Sequence, residues 1–163
     1  MKNLFLILFS LSVAYNISSC TKGGELDGIK GKSYTVTSTA SSKQLLPLID
    51  TTSTGTLKGL YDDQTNILTF TLAWDDLWRD TNKDTITAVN IYGPAATTAN
   101  GTLVRTLSYV NTNRTGTAVL GLSGYYGLAT TEKNEFLAGA YYFTIATKRF
   151  PNGIVRGQLK ATE

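Results

Sequence analysis

A chain of 163 residues, 42% of them apolar, suits one domain once a leader of about twenty residues is set aside. The net charge of +3 and pI of about 8.9 come from scattered Lys and Arg with no basic cluster or recognition motif, which argues against a nucleic-acid partner. The chain has no histidine and a single cysteine, which excludes Ser-His and Cys-His catalytic pairs and any intramolecular disulfide.

In chain order, Lys2 followed by a mostly apolar run over Leu4 to Ala14 reads as a secretory leader. Its roughly ten apolar residues are about half of what a helix needs to cross a bilayer, so a retained span is not expected. The leader ends in "ISSC", which resembles the bacterial lipobox. On that reading residues 1–19 are a lipoprotein signal peptide and Cys20 carries the lipid and starts the mature chain. A free thiol is otherwise a liability in an exported protein, and a multiply acylated terminus holds durably to a bilayer. Residues 20–32 then form a flexible tether, since "TKGGELDGIKGK" holds four glycines and almost nothing to bury. The expected location is the bacterial cell envelope, at the outer membrane, with the periplasmic and surface-facing orientations both open.

From residue 33 to 163 the pattern has period two and is rich in β-branched and aromatic residues. "NILTFTLAW" is the clearest strand: Leu68, Phe70, Leu72 and Trp74 fall on one face and Ile67, Thr69, Thr71 and Ala73 on the other. Further strands are expected over 33–40, 55–63, 85–92, 101–107, 116–124, 140–148 and 153–161. "DDQTN" (62–66) and "PNG" (151–153) supply hairpin turns. "TTEKNEFLAG" predicts one short helix, capped by Thr131 and stopped by Gly139. The expected fold class is all-β, an antiparallel sandwich or Greek-key barrel of about eight strands with one short helix.

Several residues invite a functional reading. Asn90 and Tyr92 share one side of their strand just before the Gly93-Pro94 turn, and could offer polar groups and a flat ring to a ligand. The architectural alternative packs Tyr92 over that turn and ties Asn90 to a loop backbone group. Trp78, Tyr125 and Tyr126 fall near expected loops or strand ends, where rings can meet a sugar or a protein partner or cover the sandwich ends. Asp80, Asn82 and Asp84 have the alternate spacing of a calcium loop, but Thr85 and Ile91 stand where its glycine and last acidic ligand belong. In "RGQL", Arg156 and Gln158 share a face, and a half-buried Arg156 needs loop carbonyls or an acid such as Asp75, Asp76 or Glu135.

Three segments together, "NILTFTLAW", "VNIYGPAATTANGTLV" and "LAGAYYFTIATKRFPNGIVRGQL", resemble the CHRD domain, the repeat named after chordin and found in many bacterial secreted proteins. The resemblance covers residues 33–161. It implies an extracytoplasmic antiparallel β-fold, usually without assigned enzymatic activity, with a distant likeness to copper/zinc superoxide dismutases. This chain departs from the family pattern at telling places: Asn90-Ile91-Tyr92 replaces His-Ile-His, Ala146 replaces a further histidine, and Ile154 replaces an acidic residue. Asn, Tyr and Ala offer no imidazole nitrogen to a metal.

The function expected from these features is a lipid-anchored envelope module with a binding or structural role. No catalysis and no cofactor are expected; the partners are the membrane through the lipid and a protein or glycan. The alternative is an envelope enzyme, either a metal-dependent redox protein or a carboxylate hydrolase.

Overall fold

The computed structural model describes residues 31–77, 80, 82–107 and 120–163. Cys20, Trp78, the expected signal and the expected tether as far as residue 30 lie outside the described residues; Lys32, counted in the tether from sequence, is tied to the domain, its N–H bonding Asp63 Oδ1 at 2.6 Å and its carbonyl accepting the Asp63 N–H at 3.0 Å. Gly31 to Glu163 form one compact unit.

The strands are β1 (Ser33–Ser41), β2 (Thr54–Asp62), β3 (Ile67–Asp75), β4 (Ile86–Gly93), β5 (Thr102–Leu107), β6 (Leu120–Gly127), β7 (Tyr142–Thr147), β8 (Val155–Gln158) and β9 (Lys160–Thr162), with one α-helix among the described residues, α1 (Lys133–Leu137), and a 3-10 turn at Ser42–Gln44. They make one antiparallel sheet in the order β5-β4-β7-β8-β1-β2-β3-β6, with β9 also on β1, curled into a half-barrel. This is the all-β class expected from the sequence. The curl brings the two edge strands together: the Arg105 guanidinium of β5 lies 4.8 Å from the centre of the Tyr126 ring of β6.

Alternation sets which face is core. Val36 and Ala40, Leu57 and Tyr61, and Leu68, Phe70, Leu72 and Trp74 point inward from β1, β2 and β3. Ile91, Phe143, Ile145 and Val155 join them from β4, β7 and β8. Burying each of the Val, Leu, Ile and Phe side chains contributes roughly 1.5–3 kcal/mol. The β2–β3 turn is tied by Asp62, whose Oδ1 accepts the backbone N–H groups of Gln64 at 2.8 Å and Thr65 at 2.9 Å. Those bonds hold its carboxyl below the usual aspartate range.

Three details depart from the sequence expectation. The final strand is two strands: β8 runs along β7, Leu159 bonds through its N–H to the Tyr141 carbonyl at 2.8 Å, and β9 runs along β1. Helix α1 begins after Glu132, not at a Thr131 cap, and Glu132 reaches back to accept the Ala129 N–H at 2.7 Å. Gly139 stops it, as expected, at φ +76°. The third is β6, which continues to Gly127 and so carries both Tyr125 and Tyr126 in a strand.

Candidate functional site

The residues singled out at the end of the chain and around the Gly-Pro turn come together on the outer face of β4, β7 and β8. Two cross-strand rows define it: Asn90, Thr144 and Arg156 lie side by side, and next to them Tyr92, Tyr142 and Gln158. Strands β7 and β8 are buried at every position, so their outer face is covered as well as their inner one. The cover is the loop after β4 and the segment around Leu45 to Pro47.

Gly93 lets the covering loop leave the sheet. A Cβ there would sit 2.9 Å from the Tyr141 ring, so Tyr141 packs against the turn, while the Tyr92 ring, given that place by the architectural reading, stacks on Tyr142. The Ala95 N–H then bonds to the Ala140 carbonyl at 2.7 Å. Gln158 fixes the loop from below, its Nε2 donating to the carbonyls of Ala95 at 3.0 Å and Gly139 at 2.8 Å. Gly101 closes it by donating its N–H to the Tyr142 hydroxyl at 3.0 Å.

Arg156 is the centre of the arrangement and is 2% exposed. Its Nη2 donates to the Ala96 carbonyl at 3.0 Å and to Gln158 Oε1 at 3.4 Å, and its Nη1 to Asn100 Oδ1 at 3.3 Å. The guanidinium carbon lies 3.7 Å from the centre of the Tyr142 ring, a cation–π contact. The Tyr92 ring stacks on the same Tyr142 at 5.3 Å and 10°. Strand β7 runs between β4 and β8, so Tyr142 is flanked by Tyr92 on one side and Arg156 on the other. None of the acids considered from sequence, Asp75, Asp76 or Glu135, is its partner; the partners are loop carbonyl and amide groups. Burial pulls the guanidinium pKa down, with Tyr142 opposing.

Asn90 is also satisfied from the sheet instead of a loop backbone. Its Oδ1 accepts from Thr106 Oγ1 of the neighbouring strand at 2.8 Å, and its Nδ2 faces the Tyr92 hydroxyl at 3.4 Å. Ala146 lies on this face too, buried and opposite Ala88. The three positions where the family pattern carries histidine therefore converge on one face, but the residues present do not fit a transition ion. Asn90 is engaged, Tyr92 is stacked, and Ala146 brings no donor.

Above these rows is a cleft of about 390 Å³, lined by Leu45, Leu46, Pro47, Tyr92, Asn100, Gly101, Tyr142, Thr144, Asn152 and Arg156. Asn100 joins its two walls, accepting from Arg156 and donating through Nδ2 to the Leu46 carbonyl at 2.8 Å. Sequence reasoning missed Tyr142, Thr144 and the Leu45–Pro47 wall. Tyr142 and Thr144 sit in the run "YYFTIAT", in which no period betrays a second covered face.

The remaining sequence candidates lie elsewhere. Tyr125 is 78% exposed on the outer face of β6, opposite Thr69, and β6 is near the other end of the strand order from β4. Tyr126 is not a surface residue: it is 1% exposed and points inward opposite Leu68, because β6 runs on through it. In the 80–84 turn, Asp84 Oδ2 accepts the Asp80 N–H at 2.7 Å and its Oδ1 pairs with Arg149 Nε at 2.9 Å. Asp80 Oδ1 accepts the Asn82 N–H at 2.9 Å. The oxygens proposed for calcium thus hold the turn and an arginine. Among the described residues no group of three or more His, Cys, Asp or Glu side chains is placed to hold a metal ion.

No curated protein and no solved structure matches the chain. The family model of the CHRD domain matches residues 36–159, from the first inward residues of β1 to the end of β8 and Leu159. The sheet apart from the start of β1 and β9, the covering loop and the Arg156 network fall within that span, and the chain belongs to the CHRD domain family.

Proposed function

We propose that the chain is a lipid-anchored module of the bacterial cell envelope that works by binding a protein or glycan partner, without chemistry of its own. The observation that carries the binding reading is the cleft over β4, β7 and β8. It has an aromatic and cationic floor, Tyr142 and Arg156, and an apolar wall from Leu45 to Pro47, a combination of many apolar contacts and few fixed polar groups suited to recognition. The anchor rests on the leader and on "ISSC" ending at Cys20.

Each part has its own test. Cys20→Ala should shift the protein from the membrane to the soluble fraction; equal membrane partition of variant and parent would end the anchoring claim. A glycan and protein-partner screen with the purified chain should return a hit that weakens at least tenfold in Tyr92→Ala with folding intact. Binding insensitive to Tyr92 would place the interface outside the cleft.

A further inference from the structure

Arg156 is the most buried large charged side chain of the described residues, yet no carboxylate among them comes within ion-pair distance. The chain supplies such partners elsewhere: Arg149, more exposed, has Asp84 at 2.9 Å and Asp80 at 3.9 Å. At Arg156 every acceptor is neutral, and all three contacts, at 3.0, 3.3 and 3.4 Å, are longer than the ~2.7–2.9 Å of a charge-assisted bond. A desolvated cation in that condition lacks a counter-charge.

A second, independent observation points to the same spot. Thr144 is 4% exposed, stands beside Arg156 in the cross-strand row and lines the cleft, and its buried hydroxyl has no hydrogen-bond partner. A buried hydroxyl left unpaired costs free energy, and of the three without a partner among the described residues, those of Ser38, Tyr126 and Thr144, only Thr144 lines this cleft. The hydroxyls of Tyr142 and Tyr92, also at the cleft, each accept one bond, from Gly101 and Asn90, and keep their own protons to donate. No Asp or Glu lines the cleft. The site is therefore a convergence of donors and positive charge with no anionic acceptor among the described residues.

We propose that Arg156 and Thr144 form an oxyanion subsite at the floor of the cleft, and that the ligand of this module carries a carboxylate, sulfate or phosphate group. The inference rests on the binding reading and deepens it by fixing the charge of the ligand. An anionic oxygen would take over the guanidinium donor now held loosely by the Asn100 amide and would accept from the Thr144 hydroxyl. The Leu45–Pro47 wall faces the uncharged remainder of the ligand.

The test is an NMR titration of the full chain in an uncharged detergent at fixed ionic strength, with glucuronate, sulfate and inorganic phosphate as separate probes and glucose as the neutral control. At least one oxyanion should give saturable shifts at Thr144, Gly101 and the Arg156 Nε–H, with glucose giving none, and the ranking of the three tells which oxyanion chemistry is read. Thr144→Val should weaken that binding about threefold or more, and Arg156→Lys, which keeps the charge and loses the fork, about tenfold. A purely structural Arg156 predicts no effect of Thr144→Val, because that hydroxyl supports nothing in the fold. The subsite is overturned if no oxyanion saturates, or if affinity is unchanged in Thr144→Val. Saturable shifts from glucose alone at Tyr92 and Gly101 would also overturn it while leaving the binding module standing; silence here together with a failed partner screen would remove both.

Discussion

The two halves of the sheet treat their polar residues differently. In β1, β2 and β3 most outward positions, among them Thr35, Thr37, Thr56, Lys58, Thr69 and Thr71, are exposed, and most inward ones are core. In β7 and β8 the outward positions, Tyr142, Thr144, Arg156 and Gln158, are as buried as the inward Phe143, Ile145 and Val155. The same period-two pattern thus means water in one half and a covered network in the other. A polar side chain facing water is nearly neutral for stability, whereas one facing a covering loop must be bonded or it costs free energy.

The largest expected break of this contrast is Arg156→Ala against Lys58→Ala. Removing Arg156 takes away the guanidinium over Tyr142 and the bonds that hold Ala96, Asn100 and Gln158, and leaves a void under the loop. The expected loss is about 3–4 kcal/mol. Lys58 points from β2 into solvent, and its loss should stay within about 0.5 kcal/mol. Urea denaturation midpoints at unchanged slope would check both; equal effects would show that the two outer faces are not different environments.

Next in size is an effect that should ignore the contrast, because both halves share one inner core. Burial, with Glu132 adding to it, pushes the Tyr126 and Tyr141 hydroxyls up to about 12. A raised pKa means that the neutral form is the one the fold holds. The associated stability, roughly 2–3 kcal/mol for each ring, is present below the unfolded value near pH 10 and is lost as pH rises through about 12. Absorbance at 295 nm should show a late tyrosine fraction ionising together with loss of near-ultraviolet circular dichroism. Ionisation of all nine tyrosines near pH 10 in a chain that stays folded would contradict this burial.

Backbone packing separates the halves again, at about 2 kcal/mol. A Cβ at Gly157 in β8 would lie 2.5 Å from Ser38 Oγ, 2.8 Å from Ala40 Cβ and 2.9 Å from the Phe143 ring, so Gly157→Ala should destabilise by about 1–3 kcal/mol. At Gly127, the end of β6, nothing lies within 4 Å, and Gly127→Ala should be neutral or stabilising by up to about 1 kcal/mol. Thermal melts of the two variants would settle the order.

How much of this was legible in the sequence follows from the same division. "NILTFTLAW" could be read correctly because Thr69 and Thr71 face water and mark the polar side of β3. "YYFTIAT" gives no such mark, since a second cover buries Thr144 as fully as Ile145, and that cover comes from residues about fifty and a hundred positions earlier in the chain, around Asn100 and Leu46. Arg156 and Gln158 were readable as a structural pair because a charge on an alternating strand demands partners, but their identity was set by where the loop after Gly93 lands. Tyr126 is misplaced for a local reason: a strand expected over 116–124 leaves "YY" at its end, whereas β6 runs on, with Gly124 and Gly127 paired to Phe70 and Ile67.

The smallest expected effect is the most informative about the covered face. Thr144→Val replaces a hydroxyl that has no partner by a methyl of the same shape, so the folded chain should be unchanged or more stable by up to about 1–2 kcal/mol. Thr71→Val, with its hydroxyl on the exposed face of β3, should move stability by no more than about 0.5 kcal/mol. If Thr144→Val also weakens oxyanion binding, one substitution improves the fold and harms recognition, which is the signature of a polar group retained for a ligand. A loss of stability in Thr144→Val would mean that the hydroxyl is bonded in the folded chain after all, and the empty position in the Asn90, Thr144 and Arg156 row would have to be assigned to the fold itself.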